Sequence, residues 1–214
     1  MAVVATYGYR TAPGKLAEHL AGAAEGLGHL RRLGMQAINL QAIAGTDVGV
    51  ITTSVNHASN ADYAAGIQKV LADEQWQEFW LRVNSDTAAV EVESSLFVDI
   101  DTTFQPSPDR ALGVLLGTQW RAKPGRLMEF MAHVMTAIPH IERMGGQVRV
   151  LQSLIGLHPL TVLVTTAFSD LDAYGAYADK TATDEQWQSY WMGVMADPTA
   201  DLIRTGLFMN ISDG

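Results

Sequence analysis

The chain has 214 residues, of which 48% are hydrophobic and 17% charged, so it has ample material for a globular core and is not a disordered protein. The formal net charge is −9 and no run of basic residues occurs, which argues against nucleic-acid binding. The sequence contains no cysteine, which excludes disulfides, thiol catalysis and Cys-ligated metal centres.

The N-terminal segment does not combine a basic stretch with a long apolar one, as a secretory signal would. The sequence also lacks an apolar run of about 18 residues, the length that a membrane-spanning helix requires. We therefore expect a cytoplasmic protein without a membrane partner. Glycine-rich nucleotide loops, a nucleophile elbow and His-x-x-x-His pairs are absent too, so the sequence predicts no cofactor and no metal site.

The first hundred residues alternate between strand and helix patterns. β-Branched and aromatic residues dominate the strand segments, and apolar residues recur every three or four positions in the helical ones. The turn signal Gly45-Thr46-Asp47 joins the second and third strands into a hairpin. The predicted elements are strands at 3–10, 36–44, 48–56 and 90–100, and helices at 16–33, 60–71 and 73–83.

The pentapeptide Asp73–Gln77 returns unchanged as Asp184–Gln188, 111 residues later. The same offset aligns the Pro13-Gly14 turn with the Pro124-Gly125 turn. In each copy the aspartate has the properties of an N-cap that restarts a helix. The second copy predicts strands at 114–120, 147–155, 161–168 and 202–211, and helices at 127–144, 171–181 and 184–194.

Gly28 and Pro139 occupy equivalent places late in the first helix of each copy. Both residue types weaken the interior of a helix, because glycine adds backbone entropy and proline removes a backbone donor. The pattern therefore predicts a kink or break near this point in both copies.

Several strands are nearly continuously apolar, which indicates a sheet covered on both faces. Helices cover only one face of a βαββαβ unit, so the second copy is expected to cover the other. We predict an α+β fold in which two tandem ferredoxin-like βαββαβ repeats fuse into one pseudo-twofold barrel with the helices outside the sheets. The predicted repeats are residues 1–100 and 113–214, joined by a linker at 101–112.

The sequence resembles NIPSNAP-like proteins of the dimeric α/β-barrel superfamily. The similarity is carried by Lys123–Leu127, Gly145–Arg149 and Ala173–Tyr177, together with Asp184–Gln188. The first copy matches less well, because Gly145-Gly146 becomes Gly34-Met35. The resemblance implies a monomer with an internal pseudo-dimer, with a further homodimer possible. It implies a fold rather than one activity, since the superfamily includes monooxygenases, isomerases, haem-binding enzymes and members of unassigned role.

Aromatic residues recur at helical spacing in both copies. The rings could wall a ligand slot between helix and sheet, or they could seal the helix onto the sheet as core. Both interpretations stay open. The candidate ligand-binding aromatic residues are Trp76, Trp80, Tyr174, Trp187 and Trp191.

Polar residues within apolar patterns are the other candidates. His140 and Arg149 are the candidate catalytic residues, because histidine moves protons and the arginine interrupts a buried strand, where it could hold a carboxylate or enolate. A structural or surface role remains the alternative for each. The remaining candidate ligand-binding residues are Gln41, His133 and Gln152.

Three functions remain open at this point. The first is binding of a small apolar or aromatic molecule in a pocket between sheet and helices. The second is a cofactor-independent monooxygenase or isomerase that acts on an aromatic or polyketide-like substrate. The third is a protein-interaction module without catalysis. His133, His140 and Arg149 replace Gly22, His29 and Ile38 of the first copy, which favours a site in the second copy.

Overall fold

The computed structural model describes residues 1–45, 48–85, 87–102 and 112–212. The strands are β1 (Val3–Thr11), β2 (Gln36–Gly45), β3 (Val50–His57), β4 (Ala89–Asp99), β5 (Val114–Ala122), β6 (Gln147–Ile155), β7 (Thr161–Phe168) and β8 (Ala200–Asn210). The helices are α1 (Leu16–Arg32), α2 (Asn60–Ala72), α3 (Glu74–Ser85), α4 (Leu127–Met144), α5 (Leu171–Thr183) and α6 (Glu185–Ala196). Across the described ranges, no helix combines the length and apolar character needed to cross a bilayer.

The eight strands form one closed barrel in the order β1-β3-β2-β8-β5-β7-β6-β4. All neighbouring strands are antiparallel. The first half (β1–β4 with α1–α3) and the second half (β5–β8 with α4–α6) follow the same strand order, and they join at two seams, β2–β8 and β4–β6. The predicted α+β barrel is confirmed. The two sheets do not merely face each other, because hydrogen bonds at both seams close them into a single wall.

Alternate side chains of each strand face the helices and the barrel interior, and this explains why the strands are apolar throughout. On β1, Val3 and Ala5 pack in the cluster on the helix side, whereas Val4 packs with Phe97 and Leu151 in a separate cluster inside the barrel. Both faces of the barrel wall are therefore buried, one by helices and one by the opposite strands. This arrangement places inward-facing and helix-facing residues in two separate environments.

The helix break predicted near Gly28 and Pro139 is not found. Both α1 and α4 are continuous, and Pro139 lies inside α4. Proline removes one backbone hydrogen bond there, yet Ile141 and Met144, which follow it, are buried in the core of the second half. Tertiary packing of the last turns therefore holds the helix together across a position that is weak in isolation.

The predicted boundaries agree with the structure to within three residues where both can be compared. Most of the predicted linker at 101–112 cannot be compared, because residues 103–111 lie outside the described ranges. Thr46 and Asp47, the predicted hairpin turn, lie outside them as well. The predicted division into two units therefore remains a prediction at its boundary.

The aspartate that opens the repeated pentapeptide, Asp73 or Asp184, caps a helix in each half, as predicted. Asp73 Oδ1 accepts a hydrogen bond of 2.8 Å from the backbone N–H of Trp76, and Asp184 Oδ1 accepts one of 2.7 Å from Trp187. Each aspartate also binds an arginine from the last turn of the long helix in its half. In the second half this is Arg143, which donates to Asp184 at 2.6 and 2.8 Å. The Arg143 guanidinium, and then the capped N–H, lower the pKa of Asp184 well below its usual range.

Substitution of Asp184 separates these two contributions. We expect Asp184→Asn to lower the melting temperature at pH 7, because the ion pair is lost, and Asp184→Ala to lower it further, because the cap is lost as well. Since the folded-state pKa of Asp184 is depressed, the ion-pair contribution is present above about pH 4 and is lost as the pH falls below that. Thermal denaturation from pH 7 to pH 3 measures both effects, and Glu185→Ala is the control.

Equal melting temperatures of the wild type and Asp184→Asn at pH 7 would contradict a role for the ion pair. Equal values for Asp184→Asn and Asp184→Ala would instead contradict the cap. The two results are independent, because asparagine retains a side-chain oxygen that can accept from the Trp187 N–H.

Candidate functional site

A cavity of about 940 Å³ lies between the helices and the sheet of the first half. Residues of α1 and α3 form its outer wall, and the helix-facing residues of β1 and β3 form its floor. We call this space the helix–sheet cavity. Its volume is in the range that holds a drug-sized molecule.

The cavity is open because α1 carries little side-chain volume where α4 carries more. Gly22, Ala23 and Gly26 line the cavity on α1, and the residues 111 positions later are His133, Val134 and Ala137. Val134 and Ala137 are buried against the second-half sheet. The additional polar residues of the second copy favoured a site in the second half, but the helix–sheet cavity lies in the first half.

Three aromatic side chains of α3 form the outer end of the cavity, namely Trp76, Phe79 and Trp80. The Trp76 and Trp80 rings are stacked with centroids 6.0 Å apart and planes 11° apart. His29 packs on the far side of this group, 5.2 Å from the Phe79 ring. Trp76 and Trp80, predicted as ligand-binding residues, therefore line a cavity of suitable size.

Two buried histidines lie at the wall of the same cavity. His57 is 5% exposed, and its Nδ1 is 3.5 Å from the Asp62 carboxylate. His19 is 7% exposed, and its Nδ1 is 2.8 Å from the Thr11 hydroxyl. Burial lowers the pKa of both imidazoles, an effect that Asp62 partly opposes for His57. Both rings are therefore neutral at pH 7 and able to accept a proton.

Two tyrosines of β1 also line the cavity. Burial, followed by the neighbouring Tyr63 and Glu91, raises the pKa of Tyr7 to about 12. Burial also raises the pKa of Tyr9, and its hydroxyl lies 3.4 Å from a Glu91 carboxylate oxygen. Both phenols stay protonated at pH 7, and both hydroxyls have a hydrogen-bond partner in the protein, Tyr63 for Tyr7 and Glu91 for Tyr9.

The sequence-based candidates did not include these four polar residues. His19 and His57 have no histidine counterpart 111 positions later, so comparison of the two copies does not single them out. The available signal was the strand period, since Tyr7 and Tyr9 share the helix-facing side of β1 with Val3 and Ala5. Two tyrosines on a face that packs against a helix with glycines indicate a polar-edged gap.

The second-half candidates form an aromatic cluster rather than part of this cavity. His140 stacks on Tyr190 with ring centroids 5.5 Å apart and lies 6.4 Å from Trp187, which stacks on Trp191 at 5.8 Å. Tyr174 packs on Phe168, and His133 contacts the Thr199 hydroxyl at 3.2 Å. The structure therefore brings His140, Trp187 and Trp191 together in one half-buried aromatic cluster.

Arg149 is separated from that cluster, because it points into the barrel. Its guanidinium binds Asp99 at 2.6 to 3.2 Å and Asn56 at 2.7 Å. The carboxylate that it holds is thus one of the protein's own. Gln41 and Gln152 lie on the helix-facing side of their strands, outside the helix–sheet cavity, and Gln152 donates to the Pro159 carbonyl at 3.3 Å.

Comparison with known proteins identifies relatives by structure only. No family model and no curated protein matches the sequence. Among solved structures, one described as a putative monooxygenase of Fusobacterium nucleatum subsp. nucleatum is similar with a TM-score of 0.66, 10% identity, and coverage of 98% of this chain and 94% of that one. An anthrone oxidase-like protein gives a TM-score of 0.63 and 13% identity, covering 100% and 94%.

A third solved structure, described as a putative chlorite dismutase, gives a TM-score of 0.60 and 12% identity, covering 98% and 94%. These similarities support a closed α+β barrel fold over the whole described chain. At identities this low they establish the fold alone, and activity has to be argued from the site.

Proposed function

We propose that the protein binds a small apolar or aromatic molecule in the helix–sheet cavity. The observation that carries this proposal is a space of about 940 Å³ with an aromatic wall at Trp76, Phe79 and Trp80. Large rings offer contact area with few rotamers, and most of the lining surface is apolar, as is typical of ligand pockets.

Filling the cavity tests this proposal. In Gly22→Leu, a Cβ at position 22 meets only Val83, at 3.9 Å, so the larger side chain extends into the cavity without a backbone clash. We expect this variant to weaken binding of 2-naphthol at least about tenfold in isothermal titration calorimetry, because the side chain occupies the ligand volume. Gly28→Leu is the matched control, since Gly28 lies on the exposed side of the same helix.

Equal affinity of 2-naphthol for Gly22→Leu and Gly28→Leu would contradict the proposal. Native mass spectrometry of the purified wild type adds the identity of a co-purified ligand. Loss of that mass in Gly22→Leu, with retention in Gly28→Leu, would assign the ligand to this cavity.

A second candidate function is oxygenation without a bound cofactor. The buried, neutral His57 at the cavity wall favours it, together with the oxidase and monooxygenase descriptions of two structural neighbours. An imidazole whose Nδ1 faces a carboxylate is oriented with its Nε2 free to act as a base. We propose His57 as the general base and Asp62 as its positioning residue.

The proposed reaction converts a CH₂ group, made acidic by conjugation with a ketone through an aromatic ring, into a second ketone. His57 removes one proton, and the resulting carbanion transfers electrons to molecular oxygen, with formation of a C–O bond to give a hydroperoxide. Loss of water breaks the O–O bond and leaves the ketone, so that one substrate and one O₂ yield one ketone and one water. In the proposed complex the Tyr7 hydroxyl, which stays protonated, turns from Tyr63 to donate a hydrogen bond to the enolate oxygen.

One solved neighbour, from Thermus thermophilus, is described as a haem-binding protein, with a TM-score of 0.53 and 9% identity. The absorption spectrum of the purified protein therefore belongs to the test. A Soret band lost in a His57 or His19 variant would replace the cofactor-independent proposal with haem binding at the same cavity.

The finer resemblance to NIPSNAP-like proteins, the cytoplasmic location and a further homodimer remain proposals. The interaction module is the remaining alternative, and exposed methionines on the outer helices, Met128, Met135, Met192 and Met195, would be its contact surface. Binding of 2-naphthol that depends on position 22 would favour the small-molecule function over that alternative.

A further inference from the structure

A second cavity, of about 880 Å³, lies inside the barrel and is lined by inward-facing residues of all eight strands. We call it the barrel lumen. An eight-stranded barrel is just wide enough to be filled by side chains or to hold one small ligand. The lumen stays open because three of the residues that line it are glycines, which have no side chain to fill the interior. They are Gly8, Gly117 and Gly206.

The two halves line the lumen with different chemistry. Thr6 of β1 pairs in register with Ser54 of β3 and with Ser95 of β4, so three hydroxyl residues form one row. The corresponding row of the second half is Gly117, Thr165 and Gly206. The first-half wall therefore carries hydroxyls at this level, and the opposite wall carries two bare glycines.

The hydroxyl row contains unsatisfied groups. The hydroxyls of Thr6 and Ser95 have no hydrogen-bond partner within the described part of the chain, and Ser95 is 5% exposed. Thr165, in the opposite row, already donates to the Arg149 carbonyl at 3.3 Å. Buried hydroxyls without partners are uncommon in native proteins because each costs free energy. A ligand oxygen at this row would satisfy the hydroxyl of Thr6, which lines the lumen.

The charged groups within the lumen compensate one another. Arg204 of β8 pairs with Glu93 of β4 across the barrel and donates to Gln119 at 2.6 Å. Arg149 pairs with Asp99 near the other end. The remaining lining arginines, Arg10 and Arg31, are exposed at the rims. The deep part of the lumen thus offers hydroxyls and apolar surface, and its charges are paired.

We propose that the barrel lumen is a second ligand site, separate from the helix–sheet cavity. It takes a neutral, largely apolar molecule that carries a hydroxyl or carbonyl group. Thr6, whose hydroxyl has no partner among the described residues, bonds that polar group, and the body of the molecule packs on Phe97 and Phe208, which line the lumen with it. A charged ligand is disfavoured there because the arginines of the interior are already paired with carboxylates of the protein.

The test uses the neutral ketone prodan, whose fluorescence reports an apolar environment. In Gly117→Leu the new Cβ meets Phe208 at 3.4 Å and Leu163 at 4.0 Å, both ordinary contacts, and the side chain fills the lumen. Gly22→Leu fills the other cavity and is the matched variant. We expect two equivalents of prodan bound by the wild type and one by each variant.

Thr6→Val keeps the shape of the side chain and removes its hydroxyl. In a Gly22→Leu background it should weaken the remaining prodan site about 3- to 10-fold, the range for one hydrogen bond. This variant keeps the proposal testable if Gly117→Leu does not fold, which circular dichroism reveals. Unchanged affinity in Thr6→Val would overturn the role of the hydroxyl row.

Retention of both equivalents in Gly117→Leu would overturn the lumen site. Binding of only one equivalent of prodan by the wild type, with loss of that equivalent in Gly22→Leu, would also overturn the lumen site. A single equivalent that only Gly117→Leu removes would support the lumen and contradict the helix–sheet cavity, so the two proposals fail separately.

Discussion

Arg149→Met is expected to destabilise the protein by roughly 3–5 kcal/mol, the cost of removing one partner of a buried ion pair. The Asp99 side chain is 1% exposed and that of Arg149 is 12% exposed. Removal of the guanidinium leaves the Asp99 carboxylate buried without a counter-charge and removes a hydrogen bond to Asn56. The change in the free energy of unfolding can be measured by urea denaturation.

The position of this pair amplifies its effect. Arg149 belongs to β6 and Asp99 to β4, so the pair spans the seam between the two halves. Replacement of both partners by apolar residues, in Arg149→Met with Asp99→Leu, should recover most of the lost stability, since the penalty comes from the unpaired charge. Arg82→Met, which removes an exposed partner of Glu25, is the control and should cost less than about 1 kcal/mol. If Arg149→Met lowers the free energy of unfolding no more than the Arg82→Met control does, solvent reaches the Asp99 carboxylate and the prediction is wrong.

Arg149 also illustrates how far the sequence could predict the fold and the site. A charged residue within an apolar strand predicts a buried polar contact, and the structure contains one. Its partner Asp99 is 50 residues away and belongs to the other half. Local patterns carry no information on which residues the barrel closure brings together, so the sequence suggests that Arg149 could hold a carboxylate or enolate but does not identify Asp99 as its partner.

The fold itself was predictable because residues that are present in the sequence indicate it, and they do so in both copies. Asp73 and Asp184 mark the same helix start twice, and continuous apolar strands require cover on both faces. The two cavities depend instead on missing volume, at Gly22 and Gly26 on α1 and at Gly117 in the barrel. Hydrophobic periodicity treats glycine as neutral, and whether a glycine leaves a gap depends on the elements packed against it.

The largest expected effect on activity is that of His57→Asn. With anthrone as substrate, we expect the oxygen consumption above the uncatalysed background to fall about 100- to 10,000-fold, the range for loss of a general base. Asparagine can fill the space beside Asp62 but cannot accept the substrate proton at pH 7. An oxygen electrode measures the rate, and product analysis should give one ketone for each O₂ consumed. His158→Asn, in an exposed loop, is the control.

The dependence of the rate on pH identifies the base. Burial lowers the pKa of His57 below its ordinary value of 6.5, and a base is active in its neutral form. The rate should therefore rise with pH through a midpoint below 6.5 and level off above about pH 7. Since Asp62 raises this pKa, Asp62→Asn should shift the midpoint to lower pH, an effect that a merely structural residue would not produce.

The second-half histidine provides the competing outcome. His140 stacks on Tyr190 and lies beside Trp187 in the aromatic cluster, outside the helix–sheet cavity. If His140→Asn abolishes oxygen consumption while His57→Asn retains it, the active site lies in the second half and the cavity of the first half serves binding alone. Two results together place the base in the first-half cavity: loss of activity in His57→Asn, and a pH–rate midpoint that is lower in Asp62→Asn than in the wild type. No other described histidine faces Asp62.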